Sequence, residues 1–84
     1  MNKKIQSAEA FGKAIKEYRK QQKITQSQLA AVINSGVRFI SDLENGKPTV
    51  QLEKALKAAN MLGITFEIPS AAALYAADKE VAYD

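Results

Sequence analysis

The 84-residue chain contains no cysteine and no histidine. Without cysteine, no disulfide staples the domain and no thiolate holds a metal. Without histidine, the usual general base at neutral pH and the commonest metal ligand are both missing. No phosphate-binding glycine loop and no pair of carboxylates on one face takes their place, so an enzyme is not expected, nor any cofactor or metal. No apolar run approaches the roughly 18 residues of a membrane span. The opening "MNKKIQSAEA" lacks the apolar stretch of a signal peptide. The expectation is a soluble, cytoplasmic protein with no membrane partner.

What is present is basic charge, unevenly spread. Residues 1–63 hold 11 of the 12 Lys/Arg and five of the nine Asp/Glu, a net +6, while residues 64–84 hold one lysine against four acids, a net −3. A basic body with an acidic tail suits an anionic partner. A soluble domain with scattered lysines gives the same totals, so charge alone leaves both readings open. The length makes one small domain with a thin core worth about 3–5 kcal/mol, a size that favours oligomerisation.

The apolar spacing predicts four helices. The first starts at the N-cap Ser7 and runs to about Gln22, with Phe11, Ala14, Ile15 and Tyr18 on its apolar face. The second opens at "TQSQ", where Thr25 and Gln28 have the spacing of a capping box, and buries Leu29, Val32 and Ile33. "NSG" at 34–36 breaks the pattern before a third helix from about Val37 to Glu44. Thr49 is expected to cap a fourth, whose face carries Leu52, Ala55, Leu56, Ala59 and Leu62 and which Gly63 stops.

Beyond Gly63 the apolar period becomes two: Ile64, Phe66 and Ile68 point one way, and Pro69 ends the run. A lone strand leaves its backbone groups unpaired. Pairing with the same strand of a second copy across a twofold axis is favoured over an extended cover on its own core. The tail "PSAAALYAADKEVAYD" reads as a short helix capped by Ser70 or as a loose end. The expected organisation is a helical domain over 7–63, a dimerisation strand over 64–68 (Ile64, Phe66, Ile68) and a tail over 69–84.

Residues 26–45 fit two short helices crossing through a tight turn. Small Ala30 permits close approach, Leu29, Ile33, Ile40 and Leu43 face inward, and Asn34 stands where the turn needs positive φ. With these in place, "TQSQLAAVI…FISDLENGKPTVQLEKALKAANMLGI" resembles the phage repressor/Cro-like (XRE) helix-turn-helix family over roughly residues 11–62. It is most similar to HipB-type antitoxins, in which a short strand follows the fourth helix. The resemblance implies an all-α, lambda-repressor-like domain of four or five helices plus one C-terminal strand pairing across a dimer. It also implies a sequence-specific repressor on a palindromic duplex operator, and for the narrower group a HipA-like toxin kinase as partner. An ion pair between Arg19 and Glu44, tying the first helix to the end of the third, is implied in the same way. Where the family usually has Gly, an aliphatic residue and a Ser or Thr cap, this chain has Asn34, Ser35 and Gly36. A stand-alone phage-type repressor and a protein-interaction module that has lost DNA binding are the alternatives.

On a helical wheel of the third helix, Ile40, Leu43 and Glu44 turn inward, and Arg38, Ser41, Asp42 and Asn45 turn outward. Base edges are read by the N-terminal part of such a helix. Arg38 can fork onto guanine, Ser41 can donate or accept, and Val37 can meet a thymine methyl. Gly36 would let the backbone come close. The ordinary-helix alternative for Arg38 is an i,i+4 pair with Asp42, worth a few tenths of a kcal/mol; that pair would also orient the guanidinium. Gln26 and Ser27 in the first turn of the second helix, with Asn45, Lys47 and Thr49 in the following loop, are the candidate phosphate contacts. Gly46 is expected at positive φ.

Overall fold

The computed structural model describes residues 4–67. Four helices follow in order: α1 (Ala8–Gln21), α2 (Gln26–Val32), α3 (Val37–Glu44) and α4 (Leu52–Met61). Their starts are set by local chemistry. The Ala10 N–H donates to Ser7 Oγ at 3.0 Å, capping α1. At α2 the capping box is complete: the Gln28 N–H donates to Thr25 Oγ1 at 3.0 Å, and the Thr25 N–H donates to Gln28 Oε1 at 2.8 Å.

All four helices end in the same way. In each, the residue after the C-cap takes a left-handed conformation: Lys23 (φ 58°), Asn34 (φ 55°), Gly46 (φ 80°) and Gly63 (φ 86°). The next N–H then reaches back five residues, as in Ile24 to Arg19 O (3.1 Å), Ser35 to Ala30 O (2.8 Å), Lys47 to Asp42 O (3.0 Å) and Ile64 to Ala59 O (2.9 Å). This is the Schellman closure, which satisfies carbonyls that the helix end would leave bare. Asn34 and Gly46 fill the roles expected of them. Lys23 takes a conformation its side chain disfavours.

The core is Ile15, Leu29, Ala30, Ile33, Ile40, Leu43, Ala55, Ala58, Ala59 and Leu62. Its alanines let the helices approach closely, with α3 seated against both α1 and α2. Three expectations need correction. The buried face of α1 is Gly12, Ile15 and Arg19; Tyr18 is exposed, and Phe11 and Ala14 are only half-buried. Val32 of α2 and Leu52 of α4 are exposed, Leu52 by 68%, and Leu56 is half-buried, while Ala58 lies in the core. Thr49 does not cap α4. Residues 48–50 make a turn that lays Val50 on the core, and Gln51 is the N-cap, without a side-chain cap bond.

Among the described residues there is no strand, and no helix is long and apolar enough to cross a membrane. Ile64 packs on the core, and Phe66 stacks on Phe11 with centroids 5.4 Å apart. The strand expected over 64–68 ends at Ile68, which lies outside the described residues, as does the tail over 69–84.

Candidate nucleic-acid interface

The interface is built outward from a buried ion pair. Arg19 Nε donates to Glu44 Oε2 at 2.6 Å and its Nη2 donates to Oε1 at 3.1 Å, a two-pronged contact between α1 and the last residue of α3. Arg19 Nη1 donates to the Ile24 carbonyl at 2.8 Å, fixing the α1–α2 connection. Gln26 Nε2 donates to Glu44 Oε1 at 3.0 Å, adding the start of α2. One carboxylate thus joins three helices. The Glu44 hydrogen bond raises the Arg19 pKa above the usual guanidinium value, against the opposing cost of burial.

With its inner side anchored, α3 shows its other side to solvent. Val37 is 47% exposed, Arg38 and Asn45 are exposed, and Ser41 and Asp42 are half-buried. Ile40, Leu43 and Glu44 are buried as the wheel required. Arg38, Ser41 and Val37 therefore lie on the accessible part of one short helix. Ser27 is exposed at the start of α2; Gln26 is half-buried and its side-chain amide gives one N–H to Glu44, which leaves its second amide N–H and its backbone N–H for an anion.

Asp42 does not pair with Arg38. Its carboxylate Oδ2 lies 3.6 Å from Lys47 Nζ, because the Schellman closure returns Lys47 to Asp42 through the backbone as well. Arg38 is left with no ion pair among the described residues. Lys47, half exposed and facing a half-exposed carboxylate, is in a weak, solvent-screened pair. Thr49 and Asn45 are exposed in the same connection. A further cation beside α3 leaves no mark in the sequence: Lys54 Nζ of α4 sits 5.8 Å from the centroid of the Phe39 ring. Only folding brings these two together, since they lie 15 positions apart.

Gly36, the N-cap of α3, has ordinary dihedrals (φ −80°, ψ 154°) and makes no side-chain cap bond. A Cβ there would meet nothing within 4 Å. The fold does not require glycine at this position. Gly36→Ser is expected to raise stability by about 0.5–1 kcal/mol, from the added cap and the stiffer unfolded chain. A urea titration that instead showed a loss would contradict the open surroundings of Gly36.

Comparison with known proteins bears on the same residues. The family model described as "Helix-turn-helix" matches residues 15–68. An uncharacterized HTH-type transcriptional regulator, y4mF, of Sinorhizobium fredii (strain NBRC 101917 / NGR234) is 41% identical over 68 residues, covering 81% of this chain and 90% of that protein. A solved HipB–O4 20mer complex matches with a TM-score of 0.73 at 30% identity, covering 83% of this chain and 99% of that one. A solved HipA–HipB–O2–O3 complex matches with a TM-score of 0.74 at 28% identity, with the same two coverages.

Proposed function

We propose that this chain, which belongs to the helix-turn-helix family of DNA-binding transcriptional regulators, is a cytoplasmic dimeric repressor of the HipB antitoxin kind. It reads an inverted-repeat operator with α3 and holds a HipA-like kinase. The observation that carries the reading is the two-sidedness of α3. Its inner side is fixed through Glu44 to α1 and α2, and its outer side presents Arg38 with no acidic partner among the described residues. A guanidinium held this way has its fork available for guanine O6 and N7.

Val37 and Ser41 complete the base-reading set, and Gln26, Ser27, Asn45 and Lys47 contact the phosphates on either side. For Lys47 the phosphate replaces a weak partner, Asp42, that solvent already screens. The turn also supports DNA binding over a module that has lost it. Asn34 supplies the left-handed residue, so the unusual "NSG" still gives a working connection. Dimerisation is assigned to Ile64, Phe66 and Ile68. Ile64 and Phe66 rest on their own domain through their side chains; the Ile64 N–H is spent on Ala59 O, so a strand partner would meet the backbone from Thr65 onward. The antitoxin role is supported by the likeness to HipB in a HipA-containing assembly.

The test is selection of bound duplexes from a random pool, with mass measured by size exclusion on the same sample. The reading expects an inverted repeat with half-sites about one helical turn apart and the mass of a dimer. Arg38→Ala is expected to cost about 1–3 kcal/mol on the selected duplex and to relax preference at one base position. Unchanged affinity and preference would remove Arg38 from the reading set. Co-expression with a HipA-like kinase that yields no complex would leave a stand-alone repressor.

A further inference from the structure

The two flanks of α3 are not alike. With Ile40 pointing inward and each residue advancing about 100°, Glu44 lies on the flank that meets Gln26 and Arg19. Phe39 lies on the other flank, about a quarter turn from Ile40 in the opposite sense. Lys54 of α4 holds its ammonium against the ring there. We infer that Lys54 is a backbone phosphate contact on the opposite wall of the major groove from Gln26 and Ser27, positioned for it by Phe39. The inference rests on the DNA-binding reading above.

Three features of the site support this. A helix lying in the major groove has a phosphate strand on each side, and Lys54 adds a contact from α4 to those from α2 and from the connection after α3. Lys54 lies on the Phe39 flank, away from the Glu44 flank that meets Gln26. The kind of partner matters as well. Lys47 shares its charge with Asp42 at 3.6 Å, whereas among the described residues Lys54 is held by a neutral ring. A cation against a ring face is attracted by the quadrupole and keeps its whole charge. A free lysine must also give up rotamer freedom to bind a phosphate; Lys54 has already lost part of that freedom against Phe39. The neighbouring Glu53 is exposed in the same turn of α4, so the wild-type contact is made in spite of a nearby repulsion.

The experiment measures affinity against salt concentration on two probes: the duplex selected by the wild-type protein and a random-sequence duplex. Lys54→Gln keeps most of the side-chain length and removes the charge. It is expected to lower the log–log salt slope by about 0.9 per protomer on both probes, with a several-fold loss of affinity on each and no change in base preference. Phe39→Leu keeps the charge but removes the ring; it should weaken binding less. Adding Phe39→Leu to Lys54→Gln should cost little beyond Lys54→Gln alone. A thermal melt of each variant separates loss of fold from loss of contact. An unchanged slope in a folded Lys54→Gln variant, beside a normal wild-type slope, overturns this inference alone. Additive losses in the double variant overturn the role of Phe39. A wild-type protein that binds neither probe overturns the DNA-binding reading and this inference with it.

Discussion

Glu44→Ala is expected to leave the chain largely unfolded at room temperature. Removing one partner of a buried ion pair costs about 3–5 kcal/mol, because the other charge stays behind without compensation. A domain of this size has about that much stability in total. The Glu44 side chain is 2% exposed and that of Arg19 is 10% exposed, so water cannot easily take the place of the carboxylate. Arg19 would keep only its bond to the Ile24 carbonyl, and Gln26 would lose the acceptor of its amide. Neutralisation offers no escape, because a guanidinium keeps its proton in proteins even without a partner. In the wild-type protein the Arg19 pKa is raised, first by the hydrogen bond to Glu44. A pKa raised on folding contributes stability that is fully present below the unfolded value and is lost only as pH climbs through the folded one. Wild-type stability should therefore not decline through Arg19 up to about pH 10, well below the guanidinium range. Glu44→Gln keeps an acceptor and should fold with a lowered urea midpoint, losing about 1.5–3 kcal/mol. Far-UV circular dichroism with urea unfolding checks all three. A Glu44→Ala protein within about 1 kcal/mol of wild type would mean that the pair behaves as a surface salt bridge.

That prediction depends on a pairing that hydrophobic spacing does not mark. The readable parts of this chain obey local rules: Ser7 and Thr25 cap, Asn34 and Gly46 turn, and Gly63 stops, each within a few residues of the helix it ends. The outward side of α3 follows from the wheel in the same way. Features that depend on packing are harder to read. Gly12 and Arg19 form the buried face of α1 with Ile15, yet neither is an apolar residue with a side chain to count, so the apolar stripe lies a fraction of a turn away from the buried face. Thr49 has the chemistry of a cap, but packing of Val50 on the core delays the helix. Lys23 would be rejected from a left-handed position on propensity, and the tertiary fold puts it there. Asp42 was matched to Arg38 by helical spacing, whereas the loop closure delivers Lys47. The Arg19–Glu44 pair was available only through resemblance to a family, since nothing local joins residues 25 positions apart.

Gly12→Ala is the second large effect, and general propensity predicts the opposite sign. In a helix interior, alanine is favoured over glycine by about 1 kcal/mol. At this position a Cβ would fall inside the van der Waals shell of the Leu43 carbonyl oxygen and 2.9 Å from that of Glu44. Both are backbone atoms in the last turn of α3 and cannot swing aside as a flexible side chain would. The Leu43 oxygen accepts from the Gly46 N–H at 3.1 Å, and the Glu44 side chain is held by Arg19 and Gln26. The loop beyond cannot give way either, because a Cβ on Gly46 would meet the Glu9 backbone of α1 at 2.9 Å. Relief requires moving α1 away from α3 as a body, which also lengthens the Arg19–Glu44 contact two turns further along. Overpacking of this kind costs about 1–3 kcal/mol where side chains can adjust. Against backbone it should exceed the propensity gain, for a net loss of about 2 kcal/mol, with Gly12→Val losing more. Gly36→Ala is the matched control. It lies at an open position with ordinary dihedrals, where the stiffer unfolded chain offsets the poorer capping of alanine and the same added methyl should be near neutral. Urea midpoints that fall for Gly12→Ala and hold for Gly36→Ala would locate the seat of α3 at Gly12. A Gly12→Ala midpoint at or above wild type would show that α1 and α3 are not so closely packed there.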